Sequence, residues 1–232
     1  MFKRLLIKIS GEALQSSKNN IDNQQLILLS QEINELKKQQ HEIVIVLGAG
    51  NIWRYKDNLK SKIQRTTSDY MGMLGTVMNS VALQSILEFN QIASRVCSAL
   101  NIPQLAESYI KRKALRHLDK GRVVICAGGT GNPFFTTDSA ASLRALELNC
   151  DVIIKATKVD GVYDQDPVKN PSAIKYDKLS FTKAIQKNIN IMDQTAFSLC
   201  KEGNMPIIVL NMTQKGNILK AAQKKQVGTL VC

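Results

Sequence analysis

The sequence predicts an α/β protein built on one mainly parallel β-sheet with helices on both faces. Short runs of β-branched and other apolar residues alternate with segments of helical spacing, and the runs are apolar throughout, as in strands buried on both faces. Loops of small residues follow four of these runs. The predicted strands are Leu5–Ile9, Ile43–Leu47, Val123–Ala127, Val152–Lys155 and Ile207–Leu210.

The helices are predicted from apolar residues that recur at intervals of three and four. Leu26–Lys38 has such a stripe, Met71–Phe89 is a longer and Met-rich segment, and Ser139–Leu148 follows the third strand. Asp164–Ser172, which contains two prolines, is the clearest loop. A chain of 232 residues with 44% hydrophobic content suffices for one sizeable core, so a single domain over residues 1–232 is expected.

The cysteines and the apolar runs indicate the compartment. Five cysteines are widely spaced and form no CxxC pair, which predicts free thiols in the cytoplasm and no structural zinc site. Every apolar run is too short to cross a bilayer, and Lys8 ends the N-terminal one. Neither a membrane span nor a secretion signal is therefore expected.

The net charge of +12 is compatible with a nucleic-acid surface, with a site for phosphate-rich ligands, or with a basic surface of no special role. The lysine-rich runs fall where helices present polar residues to solvent, and aromatic residues do not interleave with them. Solvated helix faces are favoured over a nucleic-acid surface.

Unusual residues follow four of the predicted strands. Ligands of a parallel sheet bind at the carboxyl ends of its strands, where loops meet helix N-termini. We therefore expect one ligand-binding edge. The loops are Ser10-Gly11-Glu12, Gly48-Ala49-Gly50-Asn51, Gly128-Gly129-Thr130-Gly131-Asn132 and Thr157 to Gly161.

Two lysines end buried strands just before turn glycines. Lys8 precedes Ser10 and Gly11, and Lys155 precedes Gly161. A buried lysine loses hydration unless it meets an anion, so two rigid cations at a phosphate site are predicted. The alternative for Lys8 is an edge strand from which its side chain reaches solvent.

The loop Gly48 to Asn51 is weak evidence by itself. It lacks the third glycine of the dinucleotide fingerprint, and the chain has no Walker P-loop, which excludes ordinary P-loop kinase chemistry. Arg54 follows this loop and supplies a guanidinium that could bind phosphate or be solvated.

The segment Gly129 to Asp138 is the most informative one. It combines glycines, a proline, two adjacent phenylalanines, and hydroxyls and a carboxylate at a helix start. A helix cap explains Thr137 and Asp138, but not the aromatic pair Phe134-Phe135. A wall that stacks on a base, with hydroxyls that donate to phosphate, explains the whole set better.

Two further aspartates have a structural explanation available. Ser68 or Asp69 is expected to cap the Met-rich helix, and Asp193 precedes another apolar helix start. The apolar residues Met71, Met73, Leu74, Val77 and Met78 are expected in the core or in a subunit contact.

Taken together, these segments resemble the bacterial uridylate kinases of the amino acid kinase superfamily, from about Lys3 to the C-terminus. The Gly131 to Asp138 and Lys155 to Tyr163 strings are the most specific. The matching stretches are Lys8 to Leu14, Gly48 to Arg54, Asp69 to Leu83, Gly131 to Ser142, Lys155 to Asp166 and Met192 to Phe197.

The resemblance implies a three-layer αβα sandwich in which UMP and ATP meet end to end, with the N-terminal half mainly on the UMP side and the part from about residue 150 mainly on the ATP side. The residues implied for ATP are Lys8, Ile9, Ser10, Gly11, Gly50, Arg54, Thr157, Tyr163 and Asp166. Those implied for UMP are Ala49, Asp69, Thr130, Gly131, Asn132, Pro133, Phe134, Phe135, Thr136 and Thr137, with Asp69 on the ribose.

The catalytic residues implied by the resemblance are Lys8, Asp138 and Lys155. Asp138 would orient the lysines or organise the magnesium-bound phosphates, and Mg²⁺ would be carried by ATP without protein ligands. The family implies a hexamer built from dimers, with GTP and UTP as effectors. Two departures are Ala49, where the family has glycine, and Gln15 to Asn20, which lacks glycines often found in members activated by GTP.

Two other functions remain open from the residues. A related kinase that acts on a carboxylate or carbamate would have no use for the Pro133 to Phe135 wall. A regulator that binds nucleic acid and senses pyrimidine nucleotides would show tight, salt-sensitive DNA binding.

Overall fold

The computed structural model describes residues 1–59, 62–165, 167, 169, 170 and 172–232. Strands and helices alternate along most of the chain. The strands are β1 Arg4–Ile9, β2 Glu42–Leu47, β3 Ser94–Ser98, β4 Glu107–Ser108, β5 Val123–Ala127, β6 Val152–Thr157, β7 Val162–Tyr163, β8 Lys175–Tyr176, β9 Lys178–Leu179, β10 Ile207–Asn211 and β11 Thr229–Val231. The helices are α1 Asn23–Lys38, α2 Arg65–Phe89, α3 Lys111–Asp119, α4 Thr137–Glu147, α5 Phe181–Gln186, α6 Gln194–Glu202 and α7 Asn217–Ala222.

Within the described residues, nine strands form one sheet in the order β4-β3-β5-β2-β1-β6-β10-β11-β9. Neighbouring strands are parallel except for β10 and β11, which are antiparallel. β7 and β8 form a separate antiparallel ribbon. The predicted mainly parallel sheet is confirmed.

Helices cover both faces of the sheet and give the three-layer αβα sandwich. One core contains apolar residues of α1, α2 and α7, and the other contains those of α3 to α6. In β1, Leu5, Ile7 and Ile9 belong to the first core, whereas Leu6 belongs to the second. Successive side chains of a strand point to opposite faces, so Lys8 shares the face of Leu6.

The five predicted strands are confirmed in position, although β6 and β10 extend to Thr157 and Asn211. Three helices begin earlier than predicted, at Asn23, Arg65 and Thr137. The first turns of these helices are polar and carry no apolar stripe, so the spacing of apolar residues does not include them.

Several elements of the sheet and its cover were not predicted from the sequence, among them the strand β3 and the helix α3. β3 carries a serine at each end and an arginine beside the first, and α3 has only two fully buried residues, Ala114 and Leu118. Short elements with so few apolar residues give little periodicity signal.

Two capping predictions are wrong. The N-cap of α2 is Gln64, which makes no side-chain cap bond, so neither Ser68 nor Asp69 caps this helix. The N-cap of α4 is Thr136, rather than Thr137 or Asp138. The predicted cap Asp193 is confirmed, because its carboxylate accepts a hydrogen bond from the Ala196 N–H.

The edge-strand alternative for Lys8 is also wrong, because β1 lies between β2 and β6. Of the five apolar residues at the start of the Met-rich helix, Met73 and Val77 are buried, whereas Leu74 and Met78 are about half exposed. In the part of the chain that the structure describes, no helix combines the length and the apolar character needed to cross a membrane.

Candidate active site

The four small-residue loops lie at one edge of the sheet. They follow β5, β2, β1 and β6, which are consecutive neighbours in the sheet and parallel to one another. Parallel neighbours end at the same edge, so the loops are brought side by side as predicted. Thr157 is the last residue of β6 rather than part of the loop after it.

Lys8 and Lys155 are paired residues of the neighbouring strands β1 and β6, so both side chains lie on the same face of the sheet. Asp138, in the first turn of α4, lies between them. Lys8 Nζ is 2.8 Å from Asp138 Oδ1, and Lys155 Nζ donates a hydrogen bond of 2.7 Å to Asp138 Oδ2. The three residues predicted to be catalytic form one charged cluster.

The cluster is largely shielded from water, since 11% of the Lys8 side chain and 14% of the Lys155 side chain are exposed. Lys155 Nζ also donates to the Ile191 carbonyl over 2.6 Å. On the other side of the carboxylate, Lys8 Nζ and Asp138 Oδ1 form an ion pair.

Burial and charge oppose each other in this cluster. Burial by itself would raise the pKa of Asp138, but the positive charges of Lys8 and Lys155 outweigh it and hold the pKa below its ordinary value. For Lys155, burial is the dominant cause and lowers the pKa, although the Asp138 carboxylate acts in the opposite direction. The cluster therefore contains an ionised carboxylate beside a lysine that loses its proton more readily than usual.

The N-terminus of α4 is tied to α6 by a second aspartate. The Thr136 hydroxyl accepts hydrogen bonds from the N–H groups of Asp138 and Ser139 and donates to Asp193. The Ser139 hydroxyl lies 3.0 Å from both oxygens of Asp193. Asp193, which also caps α6, therefore fixes the helix turn that carries Asp138.

The glycine loop after β2 is held by two buried amide side chains. Asn79 of α2 and Asn51 exchange two hydrogen bonds of 2.9 and 3.0 Å, and Asn79 also donates to the Gly48 carbonyl over 2.8 Å. A Cβ atom on Gly11 would lie 2.5 Å from the Gly50 nitrogen, so the two loops approach closely only because Gly11 has no side chain.

Arg54 forms an ion pair with Glu12 across Gly50. A Cβ atom on Gly50 would lie 2.5 Å from Arg54 Nη2 and 2.7 Å from Glu12 Oε1. A side chain at position 50 would therefore displace the end of the Arg54 or the Glu12 side chain from its present place over the loop. The guanidinium expected to bind phosphate is held by a carboxylate in the structure.

Ala49, where the family resemblance implies glycine, is accommodated by a glycine of α2. A Cβ atom on Gly75 would lie 2.9 Å from the Ala49 Cβ, closer than side chains tolerate. Ala49 is also absent from the residues with positive φ. Its methyl group faces α2 without backbone strain, and Gly75 provides the space.

Two cavities flank the charged cluster. The first, of about 350 Å³, lies at the loops after β1, β2 and β5; the second, of about 490 Å³, lies between the end of β6 and the loop before α6. Of the predicted residues, the first is lined by Lys8, Ser10, Gly11, Ala49, Gly50, Arg54, Asp69, Thr130, Asn132, Phe135, Thr136 and Thr137. The second is lined by Lys155, Thr157 and Tyr163.

Some predicted residues line neither cavity. The Ile9 side chain is fully buried in the core, so only its backbone could reach a ligand. Gly131 and Pro133 lie beside the first cavity in sequence but not in its wall, and Phe134 is 66% exposed. Asp166 lies outside the described residues.

Several residues of the first cavity were not given a role from the sequence, among them Trp53, Arg65 and Glu12. Trp53 is the single tryptophan of the chain, and its Nε1–H donates a 2.8 Å hydrogen bond to the Ser68 hydroxyl. Arg65 and Glu12 also line this cavity. Residues four apart on a helix face each other, so the spacing of Arg65 and Asp69 is typical of an ion pair. The predicted helix begins only at Met71, and the pair therefore fell outside it.

The fold and the charged cluster identify the class of protein. Residues 3–211 match the amino acid kinase family, and the chain belongs to that family. A UMP kinase from Bacillus anthracis is 38% identical, with a TM-score of 0.96 and coverage of 99% of this chain and 96% of that one.

Two further solved structures are similar over almost the whole chain. A UMP kinase from Ureaplasma parvum is 36% identical, with a TM-score of 0.94 and coverage of 99% of this chain and 98% of that one. A uridylate kinase from Archaeoglobus fulgidus is 26% identical, with a TM-score of 0.76 and coverage of 98% and 99%.

Proposed function

We propose that this protein is a uridylate kinase that transfers the γ-phosphoryl group of ATP to UMP. The observation that carries the proposal is the convergence of Lys8 and Lys155 on Asp138, between two cavities. Lys8 lines one cavity and Lys155 the other, so one charged cluster serves both. The similarity to UMP kinases over 99% of the chain supports the choice of acceptor.

In this proposal UMP occupies the first cavity, and the nucleoside of ATP occupies the second. Phe135 and the threonines of the loop before α4 line the first, where a pyrimidine and its phosphate need a flat apolar surface and hydrogen-bond donors. Thr157 and Tyr163 line the second, beside the β7–β8 ribbon. The two phosphate chains then approach each other at the ammonium groups.

The transfer needs no general base, because the attacking UMP phosphate oxygen is already anionic. That oxygen forms a bond to the γ-phosphorus as the bond from phosphorus to the β,γ-bridging oxygen breaks, and ADP leaves with that electron pair. Lys8 and Lys155 stabilise the charge on the transferring group, and Asp138 holds both ammonium groups in position. Asp193 supports Asp138 through the α4 N-terminus.

Magnesium would arrive with the phosphates of ATP and would neutralise their negative charge. Among the described residues there is no cluster of three or more potential protein ligands for a metal. The residues present fit an ion held mainly by phosphate and water, as is usual for Mg²⁺ in kinases. Asp138, the carboxylate between the two lysines, would help to organise the magnesium-bound phosphates.

In this proposal Arg54 exchanges partners during the reaction cycle. Glu12 holds its guanidinium over Gly50 in the structure. A phosphate chain beside Gly50 and Gly11 would compete with that carboxylate, and a doubly charged phosphate is the stronger partner for an arginine fork.

A direct transfer assay tests the function. The purified chain is incubated with ATP and Mg²⁺ and, in turn, UMP, CMP, a glutamate derivative or carbamate, with ADP release and product identity measured. UDP formed from UMP supports the proposal. Transfer to glutamate or carbamate alone would instead make the chain a carboxylate or carbamate kinase, and salt-sensitive DNA binding without any transfer would make it a regulator.

The remaining proposals extend from the family resemblance and from the composition. We propose a single domain that acts in the cytoplasm in pyrimidine nucleotide biosynthesis and assembles into a hexamer regulated by GTP and UTP. The buried thiols support a reducing compartment. Repeating the transfer assay with GTP or UTP, and measuring the molar mass in solution, tests the last two points.

A further inference from the structure

Arg65 has no part in the reaction described above, yet three segments converge on its side chain at the first cavity. Its Nε–H is shared between the two oxygens of Asp69, at 2.9 and 2.8 Å. Its guanidinium lies 4.2 Å from the centre of the Tyr55 ring and 5.7 Å from that of Phe134. Cations over aromatic rings at these distances are attracted to them.

Asp69 also makes contacts of its own within the group formed by Arg65, Asp69, Tyr55 and Phe134. Besides the Arg65 contact, its Oδ2 accepts a 2.8 Å hydrogen bond from the Phe134 N–H. The carboxylate is mostly buried, with 13% of the side chain exposed, and it lines the first cavity. An ionised carboxylate has about four acceptor positions, so it retains capacity for a hydroxyl group after these contacts.

The backbone of Phe134 is in a conformation that needs support from neighbouring residues. Its φ angle is +70°, in the left-handed region that side chains other than glycine rarely adopt. Such a conformation persists only where neighbouring contacts hold it. The hydrogen bond from Phe134 N–H to Asp69 and the contact of its ring with Arg65 are those contacts.

We propose that Arg65 is a positioning residue that makes the first cavity selective for ribose over deoxyribose. By holding both oxygens of the Asp69 carboxylate, Arg65 fixes its orientation, so that the acceptor positions left over face the sugar hydroxyls of the bound nucleotide. The inference rests on the proposed function for the assignment of Asp69 to the ribose. The selectivity for ribose then depends on Arg65, which need not touch the sugar itself.

Calorimetric titration with UMP and with dUMP tests this without requiring catalysis. Arg65→Met keeps an apolar chain of similar length but removes the charge and the donors. We expect it to reduce the ratio of UMP to dUMP affinity about tenfold, as for the loss of a hydrogen bond to a charged group. Arg65→Lys, which keeps the charge, should recover part of the ratio, and the affinity for ATP in the same titration should not change.

Arg112→Met is the matched control, because Arg112 is an exposed arginine of α3. It should keep the wild-type ratio. If Arg65→Met weakens UMP and dUMP equally, or if the wild type does not distinguish them, the positioning role is overturned. If the wild type distinguishes them through Arg65 but transfers no phosphoryl group to UMP, the positioning role stands and the proposed function fails.

Discussion

Lys8 and Lys155 are register partners on adjacent parallel strands, and their ammonium groups hold opposite oxygens of one carboxylate, that of Asp138. This arrangement follows from strand geometry, because paired residues of parallel neighbours present their side chains on the same face. In the proposed function, this pair would supply the fixed positive charge that a phosphoryl group in transfer needs on more than one side.

Replacing Lys155 with alanine should lower turnover by about 100-fold or more, as for the loss of one preorganised charge stabiliser. UMP affinity should change little, because Lys155 lines the second cavity and not the first. Turnover is measured by coupled ADP release, and UMP affinity by the fluorescence of Trp53, which lines the first cavity.

Lys111→Ala removes an exposed lysine of α3 and serves as the control for charge alone. Unchanged turnover in Lys155→Ala would refute the role of this lysine in the transfer. A large loss of UMP affinity would show that the two cavities are not divided as proposed.

Asp138→Asn should shift the alkaline limb of the pH profile of turnover to lower pH. Burial places the pKa of Lys155 below its ordinary value of 10.5, and the Asp138 charge raises it. Removing that charge lowers the pKa further, so the ammonium group loses its proton, and turnover declines, at a lower pH than in the wild type.

The measurement is kcat between about pH 7 and 10.5 for the wild type, Asp138→Asn and Lys155→Arg. Arginine stays protonated throughout this range, so the limb that belongs to Lys155 should be absent in Lys155→Arg. A limb that keeps its position in both variants would assign it to another group.

Gly75→Ala should lower the free energy of unfolding by about 1–3 kcal/mol, the usual cost of overpacking. The reason is that the new methyl group at position 75 would collide with the methyl group of Ala49. Adding Ala49→Gly should remove the collision. The double variant should then equal or exceed the wild type in stability, since alanine is favoured over glycine inside a helix by about 1 kcal/mol.

Urea unfolding of the wild type, both single variants and the double variant forms a double-mutant cycle. Strictly additive changes would show that the two positions do not share this space. The KM for UMP should rise in Gly75→Ala and return toward the wild-type value in the double variant, because Ala49 lines the first cavity.

One of the five thiols should react with a disulfide reagent in the folded protein, and all five after unfolding. Burial raises the pKa of Cys97 and of Cys150 to about 12 and that of Cys200 to about 11, and it also raises the pKa of Cys126. Cys232 is exposed. Cys232→Ser should leave the folded protein unreactive, and rapid reaction of a second thiol would contradict the described core.

The amino-acid sequence was enough to predict the parallel sheet, the edge at which its small-residue loops meet and the charged residues at that edge. Fully apolar strands indicate burial on both faces of the sheet. A lysine at the end of such a strand has few explanations other than an anion site. The motifs around Lys8, Asp138 and Lys155 therefore predict a parallel sheet and a phosphate site from local sequence.

The tertiary structure alone decided which partners these residues have. The register of β1 against β6, the approach of Gly75 to Ala49 and the contacts of Arg65 with Tyr55 and Phe134 all join segments that are distant in the sequence. Local periodicity reports only which face of its own element a residue occupies. Contacts between elements depend on how the layers pack, and that is fixed only when the whole chain has folded.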